Sequence, residues 1–377
     1  MDKNWYDKLN VSRVINGKGT STSVGGSLMP DVVVQAMKQA AQDYVQLDEL
    51  LEQAGKYIAD ITDNEACYVC AGSSSGILLA AAACMAKNND KNIRQLPDTT
   101  GMPDEFIVHQ SHMNPYVRIV PVAGGKIVPA GYSTKTKPWQ IEDAITEETA
   151  GILYIFYRGG WRVEEAALSL QETIDIADQH DLPVIVDAAG QIPPRENLWK
   201  FTEMGADLVI VSGGKCLRGP QSSGLILGDS ELIEACKKLG PPNHNIGRAS
   251  KVPKEEIVGL VAAVEHYLST DEDEKLAECE SLVDDIVEGL SEIDGIDAYS
   301  RFPGDSGEPF SFVEIKLVGQ NSVSMRDSLL DDLLDWDPPI VLRPTLRDRI
   351  SINPITIHEG QDEILVDAIS EIMKRLR

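Results

Sequence analysis

The sequence is short of everything that would mark it as secreted, membrane-spanning or nucleic-acid-binding. Its longest apolar runs, such as ILLAAAACMA at 77–86, fall short of the roughly 18 residues that span a bilayer. The start, MDKNWYDKLNVSRVING, has no apolar stretch of the kind that forms a signal peptide. Six cysteines in 377 residues are too few for a disulfide framework, so a reduced, cytoplasmic setting is expected. Basic residues are also scarce: 34 Lys and Arg against 60 Asp and Glu give a formal net charge of −26. Such a surface repels polyanions, because binding to nucleic acid relies on cations neutralising phosphates. No nucleic-acid partner and no membrane partner are expected.

Cys67 and Cys70 form a CxxC inside EACYVCAG, an apolar run that reads as a strand. Positions three apart on a strand point to opposite faces. No second CxxC or His pair accompanies them, so a structural role is expected and no metal site.

What the chain does have is alternation. Residues 30–60 carry apolar positions at three-to-four spacing and read as helix. ACYVC reads as a strand, ILLAAAACMAKNN as a helix, and EFIVHQ, RIVPVA and GILYIFY as further strands. SLQETIDIADQHD is an amphipathic helix before the strand PVIVDAA; ENLWKFTEMG reads as a helix before DLVIVSGG. Strands alternating with helices imply βαβ units and a mostly parallel sheet. From 252 a long helical stretch follows, with DEDE at 271–274 as a solvated junction, then the strands SFVEIKLV and RISINPITI and a closing helix. The expected layout is a large α/β domain at 48–250 and a small α+β domain at 251–377, the latter packed with the segment 1–47.

Four segments carry chemistry. In VIVSGGKCLRGPQSSG, Lys215 stands just past an apolar strand beside Ser212, Gly213 and Gly214. A lysine amine buried there loses its charge more easily and becomes a nucleophile suited to a Schiff base with an aldehyde. The glycines let a bulky ring approach the backbone, and Ser212 can reach a phosphate. A lysine in a loop that extends to solvent is the plain alternative. In LPVIVDAAGQIP, Asp187 ends an apolar strand and Gln191 follows it. An aspartate at that position can pair with a protonated pyridine nitrogen, or simply serve a turn. One helix and one strand separate Asp187 from Lys215, so adjacent strand ends would bring both to one small ring.

CAGSSSGILLAAAA passes from strand to helix through Ser73, Ser74 and Ser75, whose hydroxyls and backbone N–H groups suit a phosphate monoester. Ser73 and Ser74 are preferred over Ser75; a ligand-free serine cap would use the same residues. IVHQSHMNPY offers His112, with His109 as substitute, to stack on a pyridine ring. PIVLRPTLRDRISINP offers Arg343, Arg347 and Arg349; Arg343 is favoured for a substrate carboxylate, and surface ion pairing accounts for at least one of the others.

Phosphate turn, histidine, aspartate and lysine occur in the chain order of the fold-type-I, aspartate-aminotransferase-like pyridoxal-phosphate enzymes. Within them, RVINGKGTSTSVGGSLMPDVVVQAM at 13–37 and SGGKCLRGPQSSG resemble the bacterial L-seryl-tRNA selenium transferase family and its stand-alone relatives, such as D-glucosaminate-6-phosphate ammonia-lyase. The resemblance, over roughly residues 10–360, implies pyridoxal phosphate as cofactor, Lys215 as its Schiff-base lysine, Asp187 as partner of the pyridinium, and Ser212 as phosphate contact. It also implies a homodimer or larger homo-oligomer. The chain begins close to the RVING motif, so the tRNA-binding N-terminal domain of the transferase is expected to be missing. The expected activity is a lyase that acts on a small hydroxy-amino acid or amino sugar acid and releases ammonia and a 2-keto acid. Lys215 would take the α-proton. A racemase or epimerase using His112 or Tyr116 as a second acid/base is the alternative, and a non-catalytic binding protein with the same fold is another.

Overall fold

Strands covered on both faces read as unbroken apolar runs, and such runs build the central sheet. The structure, a computed structural model, describes residues 4–156, 166–304 and 307–376. After a two-residue strand at Ile15–Asn16 (β1), seven strands follow: Ala66–Cys70 (β2), Glu105–His109 (β3), Lys126–Ala130 (β4), Thr149–Ile155 (β5), Val184–Asp187 (β6), Leu208–Ser212 (β7) and Gly224–Gly228 (β8). These seven form one sheet in the order β2-β8-β7-β6-β5-β3-β4. Pairing is parallel from β7 to β4, and β8 runs antiparallel to both of its neighbours.

Helix Gly72–Ala86 is apolar all round, as a fully covered helix must be; every residue from Ser75 to Ala86 is buried, and the helix packs on β7 and β8. Helix Leu170–Asp178 starts at a capping box between Ser169 and Glu172 and delivers the chain to β6.

Several sequence expectations are corrected. The stretch 30–60 is two helices, Asp31–Ala40 and Leu47–Ile61. RIVPVA is no strand but part of a one-turn helix, Ile119–Val122; Pro121 has no N–H for a sheet ladder. ENLWKFTEMG is a 3-10 turn, Arg195–Leu198, and a one-turn helix, Lys200–Glu203. The stretch from 252 breaks into Lys254–Ser269 and Glu272–Leu290, with the Asp271 side chain accepting the Glu274 N–H at the second start. The DEDE cluster is thus a helix junction, as expected.

Chain contacts define two compact units, one of Met1–Gly26, Asp271–Gly304 and Glu308–Arg377, the other built on Ser27–Thr270. The divisions fall at 26 and 270 rather than at the expected 47 and 250. Helix Lys254–Ser269 packs on both Asp31–Ala40 and Leu47–Ile61, which ties all three to the larger unit.

In the smaller unit, strands Ile296–Arg301 (β9), Phe312–Leu317 (β10), Ile340–Val341 (β11), Arg343–Pro344 (β12) and Arg349–Ile352 (β13) follow. β1 pairs in parallel with β11, and the others make an antiparallel sheet in the order β12-β13-β10-β9. Val313, Ile315, Ile350 and Ile352 belong to a core shared with helices Glu272–Leu290 and Gln361–Leu376. The opposite face carries Phe312, Glu314 and Ser351. Ile226 is fully buried in β8, so Ile226→Ala should cost about 2–5 kcal/mol in urea unfolding. Lys91→Ala, at an exposed position, should stay within about 0.5 kcal/mol; similar losses for both would contradict the assigned core.

Candidate active site

β7 carries the chain to Ser212, a half-buried strand-end residue, and the loop then closes on itself. Gly213 N donates to Ser223 O at 2.9 Å, Gly219 N to Gly213 O at 2.8 Å, and Arg218 N to Lys215 O at 2.9 Å. A Cβ on Gly213 would stand 2.2 Å from Ser223 Oγ, and one on Gly214 2.4 Å from Gln221 Cα. These glycines therefore let the lysine loop fold onto residues 220–223, which differs from the expected role of admitting a ring. Ser27 Oγ donates to Gly214 O at 3.2 Å and braces the same turn. Lys215 is half-buried, and a Cβ on Gly190 would lie 3.3 Å from its Nζ.

Asp187 ends β6, the strand next to β7, and pairs with Ile210. It is only 5 % exposed. Its Oδ1 accepts the Ala189 N–H at 3.2 Å. Burial pushes its carboxyl pKa up, while the Lys215 charge and the Ala189 N–H pull it down. The two groups singled out in the sequence are thus in electrostatic reach of each other. The loop after Asp187 is pinned by Asn197, whose Nδ2 donates to Gln191 O at 2.6 Å, and by Arg195, which donates to Leu268 O and Thr270 O at 3.2 and 2.7 Å. Gln191 is half-buried on this loop. Gly190 and Asn197 escaped the sequence reading, since neither residue type nor spacing marks them.

Cys70 at the end of β2 and Ser212 at the end of β7 both pair with Gly224 of β8. With strands about 4.8 Å apart, the helix that begins at Gly72 opens on the same sheet edge as the lysine loop. Ser73 and Ser74 are half-buried in its first turn. Ser75 is 7 % exposed, and its Oγ has no hydrogen-bond partner. A buried unsatisfied hydroxyl at a positive helix end suits an anionic ligand.

His112 is 1 % exposed, edge-on to His109 and Tyr154 with ring centroids 5.0 and 4.7 Å away. Its Nδ1 accepts the Ile155 N–H at 3.3 Å, so the proton of the neutral ring sits on Nε2. His109 Nε2 lies 3.1 Å from Thr173 Oγ1, whose own hydrogen goes to Ser169 O at 2.9 Å. Nε2 of His109 must therefore donate, leaving Nδ1 bare, buried and unpartnered. Burial lowers His109 to a pKa of about 4 and, aided by His109, His112 to about 3. At neutral pH the His112 ring is therefore neutral, with Nδ1 engaged by the backbone and its one proton on Nε2. Tyr116 is exposed on a 3-10 turn.

Cys67 and Cys70 are both buried in β2; desolvation raises both thiols, Cys70 to about 12. Among the described residues no group of three His, Cys, Asp or Glu could hold a metal. In the smaller unit, Arg349 donates to Tyr299 OH at 2.7 Å and lies 3.8 Å from Glu314, so ion pairing accounts for it. Arg347 is exposed, and Arg343 lies on β12 opposite Ser351.

The model of the family L-seryl-tRNA selenium transferase matches residues 14–291. The chain belongs to that family. It is 35 % identical over 271 residues to D-glucosaminate-6-phosphate ammonia lyase from Salmonella typhimurium, spanning 71 % of each chain. It is 29 % identical over 375 residues to 5'-C-glycyluridine monooxygenase-decarboxylase from a Streptomyces species, spanning 98 % of this chain and 92 % of that one. A solved structure of D-glucosaminate-6-phosphate ammonia-lyase superposes with a TM-score of 0.83 at 30 % identity over 100 % of both chains. The fold is that of the fold-type-I pyridoxal-phosphate enzymes, and pyridoxal phosphate is the cofactor. The residues present fit it: an amine at Lys215, a buried carboxylate at Asp187, and an orphaned hydroxyl at Ser75 where a helix begins. The racemase alternative gains no support from these relatives.

The buried histidines imply a pH dependence of stability. Their folded values lie below the ordinary value of about 6.5, so below that pH the unfolded chain takes up protons that the folded chain refuses. Their contribution is therefore present above about pH 6.5 and is lost as pH falls toward the folded values. Between about pH 7 and about pH 5.5 the two rings together should remove roughly 2–3 kcal/mol. Thermal unfolding across that range and NMR titration of the rings check this; either ring titrating near the ordinary value would contradict it.

Proposed function

We propose that this chain is a pyridoxal-phosphate-dependent carbon–nitrogen lyase acting on a small β-hydroxy amino acid or amino sugar acid. The observation that carries the reading is the placement of the Lys215 amine beside Gly190 and in reach of the buried Asp187 carboxylate. The 35 % identity to an ammonia lyase supports the reaction class.

When bound, the cofactor supplies an aldehyde that links covalently to amines and a ring that accepts an electron pair. Lys215 would hold it by its amine, and Nζ, when free, would be a base for the substrate α-proton. Asp187 would keep the pyridine nitrogen protonated from its strand end. Ser75, with Ser73, Ser74 and Ser212, would hold the phosphate, and Gln191 lies on the loop beside Gly190. His112 and His109 form a neutral wall and move no proton. Nζ returns its proton to the β-hydroxyl as that group leaves as water, and hydrolysis of the resulting enamine consumes a water and releases ammonia and a 2-keto acid. Arg343 binds the substrate carboxylate.

The net charge of −26 favours a small-molecule substrate over tRNA. A homo-oligomer is supported by apolar side chains exposed along one segment: Leu28, Val32, Val34, Tyr44 and Val45. No described helix is long and apolar enough to cross a membrane. A second reading, decarboxylation, is favoured by the match to the Streptomyces enzyme over 98 % of this chain.

Incubation with β-hydroxy amino acids and amino sugar acids, with and without a 6-phosphate, should release ammonia and keto acid in equal amounts. Carbon dioxide in place of ammonia would favour the second reading, and racemised substrate with neither product would overturn both. Lys215→Ala should lower kcat by about 100- to 10,000-fold or more and abolish the visible absorption of the lysine-linked cofactor.

A further inference from the structure

Helix Trp5–Leu9 has no buried residue, yet both of its ends are fixed. The Asn4 side chain accepts the Tyr6 N–H at 3.0 Å, and Asn10 closes the helix in the left-handed conformation with φ 55°. Arg13 Nη2 lies 3.2 Å from Asp7 Oδ1, and the Lys8 ammonium stands 4.4 Å from the centre of the Trp5 ring. A helix of five residues has little stability of its own in water. Its apolar side chains are also uncovered: Trp5 is 72 % exposed, Leu9 67 % and Tyr6 54 %. Trp5 and Leu9 are four apart and so share one face. An apolar face so shaped and so open marks an interaction surface.

The larger unit carries a groove between helices Leu47–Ile61 and Lys254–Ser269. It holds about 620 Å³, within the roughly 300–1,000 Å³ of sites that take a bound group. Leu50, Ala54, Val258 and Val261 supply its apolar lining, and Tyr57 and Asp60 are polar members of it. Tyr57 OH donates to Glu265 Oε1 at 3.1 Å, which brings a second carboxylate to the groove. Lys56, also in the lining, is neutralised by Glu52 at 3.0 Å. The groove is therefore apolar with an acidic edge. Segment 4–14 complements it: in so acidic a chain this stretch has two cations, Lys8 and Arg13, against the single acid Asp7. Arg13 is taken up by Asp7, so Lys8 is the charge left to offer a partner.

We propose that helix Trp5–Leu9 of one copy docks in the groove between helices Leu47–Ile61 and Lys254–Ser269 of a second copy. Trp5 and Leu9 enter the groove as anchors one turn apart, and Lys8 meets Asp60 and Glu265. Exchange in both directions closes a pair. The inference rests on the reading of the chain as a homo-oligomer and names the contact that holds it.

Sedimentation velocity of the holoenzyme over a dilution series tests this. The intact protein should associate and separate on dilution. Trp5→Ala and Val261→Lys should each weaken association about tenfold to a hundredfold. Lys8→Glu and Asp60→Lys should each weaken it roughly two- to fivefold, and the two combined should restore it. A misfolded variant would not be restored by a second charge reversal, so this pair carries the test should Val261→Lys fail to fold. Weakening by Trp5→Ala with no restoration in the double variant overturns the choice of groove. Association that ignores Trp5→Ala and Lys8→Glu removes this contact and leaves the oligomer, whereas a monomer at every concentration removes both.

Discussion

A carboxylate buried at a strand end, opposed by one lysine charge, is the constraint around which the larger unit is arranged. Asp187 is nearly inaccessible, and burial alone would drive it toward its neutral form. What opposes that is a backbone N–H and the charge of Lys215. This balance depends on β6 and β7 lying side by side in parallel, so that their ends deliver both residues to one sheet edge. It depends equally on Gly213 and Gly214, where any side chain would push the lysine loop off residues 220–223. Gly190 completes the arrangement by leaving room beside Nζ.

Much of this was legible in the sequence because buried parallel strands have a recognisable texture. PVIVD and LVIVS are apolar throughout, and their functional residues follow at the end where an α/β sheet presents them. ILLAAAACMA is apolar on every side and could only be a covered helix. The errors have physical reasons too. RIVPVA has strand-like residues, but its proline cannot join a ladder. The break at 41–46 carries no glycine or proline, so nothing local announces that helix 31–40 stops there.

Tertiary facts were beyond reach. A histidine after a strand reads as a ring-stacking candidate, yet only the packed structure shows His112 edge-on to two rings with Nδ1 tied to the backbone. That Ser75 is buried with an unpartnered hydroxyl, unlike the half-buried Ser73 and Ser74, is known only from the packed structure.

The most direct test of the account is to reduce the holoenzyme with borohydride, digest it and locate the pyridoxyl group by mass spectrometry. The account predicts one modified peptide, with the added group on Lys215. A pyridoxyl group on any other lysine, or cofactor retained by the protein with no lysine modified, would contradict it.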